Sequence, residues 1–317
     1  AGSCWYFLRF LDPKNKKMFV DPKKEKYWMP VDIYIGGAEH AVTHLIYSRF
    51  WHKFLYDLKL VSLKEPYQKL INVGLVLGKN GEKMSKSLGN VVSPDEITKE
   101  HGADTLRMYE MFMGAFEDMK PWSTDNVMGI KRFLERVWNL YVNYMDDKKN
   151  DDKNKEALHA LEILRHRTIK KVSCDIEGVK FNTAISAMME YVNGLYEFHN
   201  EGHRIPKEHF KTLAILLSPF APHICEEIWS TFLKNKKSIQ LEKWPEYKED
   251  MLVEKTISLV VQVNGKLRDV IEVAKDLEQE EVTKIALNSV KIQNYLINGT
   301  PIKKVVFVKN KMINFVV

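Results

Sequence analysis

The sequence predicts an α/β segment over residues 1–120, an antiparallel α-helical bundle over 121–250 and a small α+β domain over 251–317. Three observations carry this. In the first third, strand-like apolar runs alternate with amphipathic helical ones. From Val127 onward, apolar residues recur only at helical spacing. After Thr256, two β-rich runs meet at an Asn-Gly pair, the dipeptide of tight hairpins. A length of 317 residues is itself about two domains' worth or more.

Each element follows in order. Val31 to Ile35 reads as a buried strand, and Gly36-Gly37 then opens a helical pattern from Glu39 to about Leu58. Leu70 to Leu77 reads as a second strand, reaching Asn80-Gly81 as a type I′ turn before Lys83-Met84-Ser85-Lys86-Ser87. Ser93-Pro94-Asp95-Glu96 has the chemistry of a helix start, with Ser as N-cap and acids in the first turn, and a longer helix follows from Gly102 to Met113. Beyond Pro121-Trp122, with Ser123 and Thr124 as N-cap candidates, Val127, Ile130, Leu134, Val137, Tyr141 and Tyr144 define one helical face. Further helices are expected at Glu156–Val172, Asn182–His199, Lys207–Leu217 and Pro222–Phe232, with a polar connection from Asp146 to Asn154. Ile257–Val263 and Leu267–Val273 form a hairpin around Asn264-Gly265. A helix near Glu280–Leu287, an amphipathic stretch Val290–Ile297 and a β-rich end Lys303–Val308 complete the chain.

Composition narrows the function classes. With 45% hydrophobic and 28% charged residues the chain can bury sizeable cores and is not of disordered composition. The net charge of +6 suits a polyanionic partner without requiring one. Cys4, Cys174 and Cys225 are far apart and show no C-x-x-C spacing, which supports neither a disulfide framework nor a cysteine zinc site and fits a reducing, cytoplasmic setting. No apolar run reaches the length of a membrane-spanning helix, since the stretch from Leu213 to Ile228 is cut by Pro219 and Pro222. The start at Ala1-Gly2-Ser3, directly before Cys4-Trp5-Tyr6-Phe7, reads as a cut within a longer protein.

The segment Lys83-Met84-Ser85-Lys86-Ser87 combines a mobile, Gly-bounded loop with two cations three residues apart. Such a loop closes over a triphosphate, and its ammonium groups stabilise the charge that grows on the phosphates during in-line attack at phosphorus. A bare K-x-x-K is ordinarily a solvated turn; the full pentapeptide after a strand and hairpin is far more specific. Gly36 and Gly37 let backbone approach a ligand at the C-terminal end of a parallel strand, and Glu39 beside them offers a carboxylate to ribose hydroxyls; a Gly pair before a helix is more often plain turn chemistry. His40 and His44 stand four apart, as in zinc-binding helices, but no Glu follows the first His and no third ligand is near, so no metal site is expected.

The pentapeptide resembles the second signature of class I aminoacyl-tRNA synthetases. Tyr34-Ile35-Gly36-Gly37-Ala38-Glu39-His40-Ala41-Val42-Thr43-His44-Leu45-Ile46-Tyr47-Ser48-Arg49-Phe50 is similar to the leucyl-tRNA synthetase version of the segment under the adenosine site, where methionyl, valyl and isoleucyl relatives carry other residues. Ser3 to Arg9, Lys120-Pro121-Trp122-Ser123 and Val261 to Lys266 match the same family. The resemblance spans essentially the whole chain.

It implies a partial Rossmann-like core, an anticodon-binding-type bundle and a C-terminal tRNA-binding domain. It implies activation of leucine with ATP and Mg2+ and transfer to tRNA-Leu. Lys83 and Lys86 would be catalytic; Lys83, Met84, Ser85, Lys86, Ser87, Gly36, Gly37 and Glu39 would line ATP. Ser3, Tyr6, Tyr34, His40 and His44 would shape the leucine pocket. The backbone of Leu75–Leu77 would face the adenine edge, and Trp122 would anchor the junction of core and bundle. Lys131, Arg132, Arg136 and Arg165 in the bundle, and Lys303, Lys304 and Lys309 near the C-terminus, are the candidate tRNA contacts.

The His-x-Gly-His signature of the class does not occur in this sequence, and neither does an inserted editing domain. The expectation is therefore a C-terminal portion of the enzyme, inactive alone and completed by an N-terminal catalytic and editing portion. The alternative is a non-catalytic tRNA-binding or assembly protein derived from a synthetase.

Overall fold

The computed structural model describes residues 2–145, 154–252, 256–296 and 301–317. The chain divides into two compact units, Ala1–Tyr247 and Lys248–Val317.

The first unit opens with α1 (Tyr6–Leu11) and α2 (Pro22–Trp28), short helices absent from the sequence reading. Asp21 caps α2, its carboxylate accepting the Lys23 N–H ahead of Pro22 at the first helical position. Strand β1 (Val31–Gly37) pairs in parallel with β2 (Tyr67–Val73), Val31 opposite Tyr67 and Gly37 opposite Val73, and α3 (His44–Asp57) makes the crossover. Phe7, Leu8, Met29, Leu55 and Val61 pack into a small core beneath them.

Three expectations are corrected in this region. β1 is not buried: Ile33 is 50% and Ile35 56% exposed, because the sheet has only two strands and no described element covers that face. The helix expected from Glu39 is split into a 3-10 turn over Ala38–Val42 and α3 from His44, since Thr43, at φ −125° and ψ −94°, cannot continue a helix. The single strand expected over Leu70–Leu77 breaks at Gly74. There the chain leaves β1 and crosses so close to the 116–118 segment that a Cβ on Gly74 would overlap the Asp118 carbonyl, while the Gly74 N–H donates to Phe116 O at 3.0 Å. β3 (Val76–Leu77) then pairs in parallel with β4 (Lys120–Pro121).

Between β3 and β4 lie α4 (Pro94–His101) and α5 (Ala103–Phe112), separated by Gly102 at φ 92°. The helices α6 (Thr124–Tyr144), α7 (Lys155–Glu177), α8 (Phe181–Asn200), α9 (Lys207–Leu217) and α10 (Pro222–Thr231) follow the periodicity read from the sequence. Apart from Asn154, which caps α7, the polar connection at 146–154 lies outside the described residues. Val137, Leu140, Tyr141, Tyr191, Leu213 and Trp229 belong to one core that also takes in Met108 and Tyr109 of α5.

The second unit holds β5 (Thr256–Val263), β6 (Lys266–Ala274), α11 (Gln279–Leu287), α12 (Val290–Leu296), β7 (Lys304–Val308) and β8 (Met312–Val316). Its sheet runs β6-β5-β8-β7, with β5 and β8 parallel and the other pairs antiparallel. Asn264 and Gly265, at φ 51° and 75°, form the tight turn of the expected hairpin. β8 was not anticipated. It pairs with both β5 and β7, burying Ile313 and Phe315 against Leu259, Val261, Val282 and Ile292. Residue 297 of the expected stretch at 290–297 lies outside the described residues.

Candidate functional site

The lysine loop grows out of β3. Leu77 bridges antiparallel to Lys83, the Gly78 N–H donates to Glu82 O at 2.8 Å and the Gly81 N–H to Gly78 O at 2.9 Å. Only Gly81 has positive φ, 76°, so the connection is a three-residue loop closed by a left-handed glycine and not the two-residue type I′ turn expected at Asn80-Gly81. Asn90, which the sequence reading passed over, clamps the next stretch. Its Oδ1 accepts the Ser85 N–H at 2.8 Å and its Nδ2 donates to the Lys83 carbonyl at 3.3 Å. Ser85 Oγ accepts the Ser87 N–H at 3.2 Å and lies 2.6 Å from the Ser87 hydroxyl. Met84 packs against the helical core. The backbone expected to be a mobile tip is thus hydrogen-bonded. Lys83 and Lys86 project from it exposed, and among the described residues neither ammonium has an ion pair or hydrogen bond. Two unneutralised cations on a braced backbone form a local positive field suited to a polyphosphate.

At the C-terminal end of β1 the structure brings together Ser3, Tyr6, Tyr34, His40 and His44. His44 organises them. Its Nε2 lies 2.9 Å from the Ser3 carbonyl, which only accepts, so Nε2 carries the proton; Nδ1 then accepts the Tyr34 hydroxyl at 3.0 Å in the neutral ring. The Tyr34 ring stacks on His44 at 5.6 Å and 15°, and the Tyr6 ring lies 5.7 Å from the same His44 ring. Burial pushes the Tyr34 hydroxyl above its ordinary pKa, which keeps it a proton donor. The break at Thr43 places His40 on the 3-10 turn and His44 on α3, their rings 6.3 Å apart and perpendicular, so they do not share one helical face as expected. No group of three or more His, Cys, Asp or Glu side chains that could hold a metal ion occurs among the described residues. Gly36 and Gly37 close the strand: a Cβ on Gly36 would come 3.1 Å from the Tyr34 ring, and one on Gly37 would overlap the Glu39 carboxylate. That carboxylate has no hydrogen-bond partner among the described residues.

Trp122 ties the two halves of the first unit together. Its backbone N–H donates to Leu77 O at 2.9 Å, its indole N–H to Thr124 Oγ1 at 3.1 Å, and its ring meets Tyr109 edge-on at 5.0 Å. The Lys120 N–H likewise donates to Leu75 O at 3.0 Å. The Leu75 and Leu77 carbonyls thus accept from the Lys120 and Trp122 N–H groups.

The expected tRNA contacts differ in their surroundings. Lys131, Arg132 and Arg136 lie along α6. Arg136 donates to Asn193 Oδ1 at 2.9 Å and sits 5.1 Å over the Tyr196 ring, both neutral partners that leave its charge intact. Arg165 differs in its surroundings. Its side chain is 14% exposed and it donates to the Glu162 carboxylate from Nε at 3.1 Å and from Nη2 at 2.8 Å. Glu162 also meets His209 Nε2 at 3.0 Å, and His209 Nδ1 lies 2.8 Å from the Tyr191 hydroxyl. The His209 bond, then Arg165, hold the Glu162 carboxyl at about 2. Arg165 thus neutralises a carboxylate inside the helical packing. In the second unit Lys309 pairs with Glu278 at 2.6 Å, whereas Lys303 and Lys304 are exposed and without a side-chain partner among the described residues.

Residues 17–123 match the model of tRNA synthetases class I (I, L, M and V), and residues 160–284 that of the anticodon-binding domain of tRNA ligase. The crystal structure of the ternary complex of Agrobacterium radiobacter K84 agnB2 LeuRS-tRNA-LeuAMS superposes with a TM-score of 0.79 at 34% sequence identity. The alignment takes in 99% of this chain, which spans 42% of the length of that one. No helix among the described residues is long and apolar enough to cross a membrane. The chain belongs to the class I tRNA synthetases of the I, L, M and V group.

Proposed function

We propose that this chain supplies ATP, leucine and tRNA contacts to a leucine–tRNA ligase of the cytoplasm. The observation that carries the reading is the pair Lys83 and Lys86, two exposed and unpartnered ammonium groups on a loop braced by Asn90. In the reaction a leucine carboxylate oxygen attacks the α-phosphorus of ATP, the bond to the β-phosphate bridging oxygen breaks, and pyrophosphate leaves. Negative charge grows on the departing phosphates, and the two ammonium groups meet it without a covalent step. Mg2+ arrives with ATP as part of the substrate. The hydroxyl of the tRNA terminal ribose then attacks the leucyl carbonyl, and AMP departs.

Glu39 and the Gly36-Gly37 backbone stand where ribose and adenosine would be held. The Ser3, Tyr6, Tyr34, His40 and His44 cluster forms the leucine side, with the His44 ring fixed between the Ser3 carbonyl and the Tyr34 hydroxyl. A pocket of this kind separates leucine from an analogue one methylene smaller by about 1–3 kcal/mol. Lys131, Arg132 and Arg136, with Lys303 and Lys304, are the cations available to tRNA phosphates.

The test is ATP–pyrophosphate exchange by the chain combined with an N-terminal leucyl-enzyme portion carrying the His-x-Gly-His signature. Exchange should depend on leucine and respond weakly to valine, isoleucine and methionine. Equal exchange with all four amino acids would refute the leucine assignment, and binding of tRNA with no exchange would favour a non-catalytic protein.

A further inference from the structure

A cavity of about 600 Å3, a size that holds small ligands, lies apart from the β1 and lysine-loop sites. Lys131, Leu134, Glu135, Trp138 and Asn139 of α6 line one wall at the spacing of a single helical stripe. The sharp α4–α5 turn at Gly102 and the first turn of α10 form the other.

His101 is the unusual member of this lining. Its side chain is 6% exposed, and neither ring nitrogen has a hydrogen-bond partner among the described residues. The Glu100 carboxylate stands 3.6 Å from Nε2, beyond hydrogen-bond range. A neutral imidazole carries one N–H donor and one acceptor, and buried polar groups are ordinarily matched. The neighbouring carboxylate does not meet this need, because Asp104 is engaged with His223 Nδ1 at 2.7 Å and the Ile224 N–H at 2.7 Å. Leu134, Trp138 and Ile224 make the remaining walls apolar. At the same cavity the Lys131 ammonium has no ion pair or hydrogen bond among the described residues, even with Glu135 one helical turn away. A ligand that satisfies all of this has a flat apolar body, a hydrogen-bonding edge and an anionic tail.

We propose that the cavity is a subsite for one unpaired nucleotide, with the base edge on His101, the base against Trp138 and the phosphate at Lys131. The nucleotide can be free or part of an RNA strand; assigning it to tRNA rests on the function proposed above, whereas the subsite itself does not.

The experiment is calorimetric titration of the full chain with AMP, GMP, CMP and UMP, and separately with tRNA. At least one mononucleotide should bind with a Kd of about 1 mM or tighter. His101→Phe, which keeps the ring but removes both nitrogens, and Lys131→Met at the cavity wall should each weaken that binding about tenfold, a change of 1.4 kcal/mol. Lys83→Met with Lys86→Met should leave it in place, which separates this cavity from the proposed ATP site. If His101→Phe does not fold, Lys131→Met carries the test alone. A parallel loss of tRNA affinity in the variants makes the nucleotide part of tRNA; a loss confined to mononucleotides makes it a free one. Failure of all four mononucleotides to saturate, or binding indifferent to both substitutions, overturns the proposal. Wild-type chain that ignores tRNA yet binds a mononucleotide here contradicts the functional reading alone.

Discussion

At the scale of single residues, the site depends on side chains that hold others in place. Asn90 bridges Ser85 and Lys83 with both ends of its amide, so Asn90→Ala removes two bonds from the backbone carrying both ammonium groups. Fold stability should change by about 1 kcal/mol or less at this partly exposed position, while kcat/KM for ATP falls about tenfold through lost orientation. A normal exchange rate in the variant would show that the clamp does not position the lysines. The two arginines read alike in the sequence separate in the same way. Arg132→Met should weaken tRNA binding and reduce the slope of log affinity against log salt by about 1. Arg165→Met should leave that slope alone and lower the melting temperature instead, since it strands a carboxylate that also serves His209. Titrations of both variants at two or more salt concentrations, beside thermal melts, distinguish these roles.

At the scale of elements, remote contacts set the helix ends and the strand breaks. The Asp104 carboxylate on α5 accepts the N–H groups of His223 and Ile224, capping α10 from another helix where Ala221 has no side chain able to do so. Asp104→Ala should cost about 1–2 kcal/mol in chemical denaturation, the value of an N-cap. Glu162 links α7 to α9 and ties stability to pH. Its folded carboxyl lies at about 2 against an ordinary 4.5, so the stabilisation is present above pH 4.5 and is lost as pH falls from there toward 2. Glu162→Gln should be less stable than the parent at pH 7 and should show a flatter acid slope between pH 4.5 and 2; parallel curves for the two proteins would contradict this.

The bundle helices were legible because burial on one face imprints a 3.6-residue period, as in Lys207–Leu217, whose observed limits match the expected ones. The Asn264-Gly265 turn was legible because its two residues alone satisfy its geometry. Asn80-Gly81 misled for a related reason: the same dipeptide serves a three-residue loop when only the glycine is left-handed. The break at Gly74 depends on residues 116–118, the Asp104 cap on residues more than 100 positions away and the burial of Arg165 on α9, and no local pattern records any of these. At the site, the lysine loop was legible in its own residues and the cluster at β1 only through the family resemblance, while Asn90 and the split at Thr43 were not legible.

At the scale of the whole molecule, the proposed chemistry falls on the first unit, in the segments that end β1 and follow β3. Trp122 connects the lysine loop to the helices: its backbone is bonded to Leu77 and its ring packs on Tyr109, so the base of the loop is anchored in the large helical core. The account's central claim is that Lys83 and Lys86 act on the phosphates of ATP by charge alone. The most direct measurement is ATP–pyrophosphate exchange with Lys83→Met and Lys86→Met, singly and together, in the chain combined with its N-terminal leucyl-enzyme complement. Each substitution should lower kcat about 100- to 1,000-fold with the fold intact, the loss seen when one preorganised donor to a developing anion is removed. An unchanged rate in the double variant would contradict the claim and leave the loop without a role in adenylate formation.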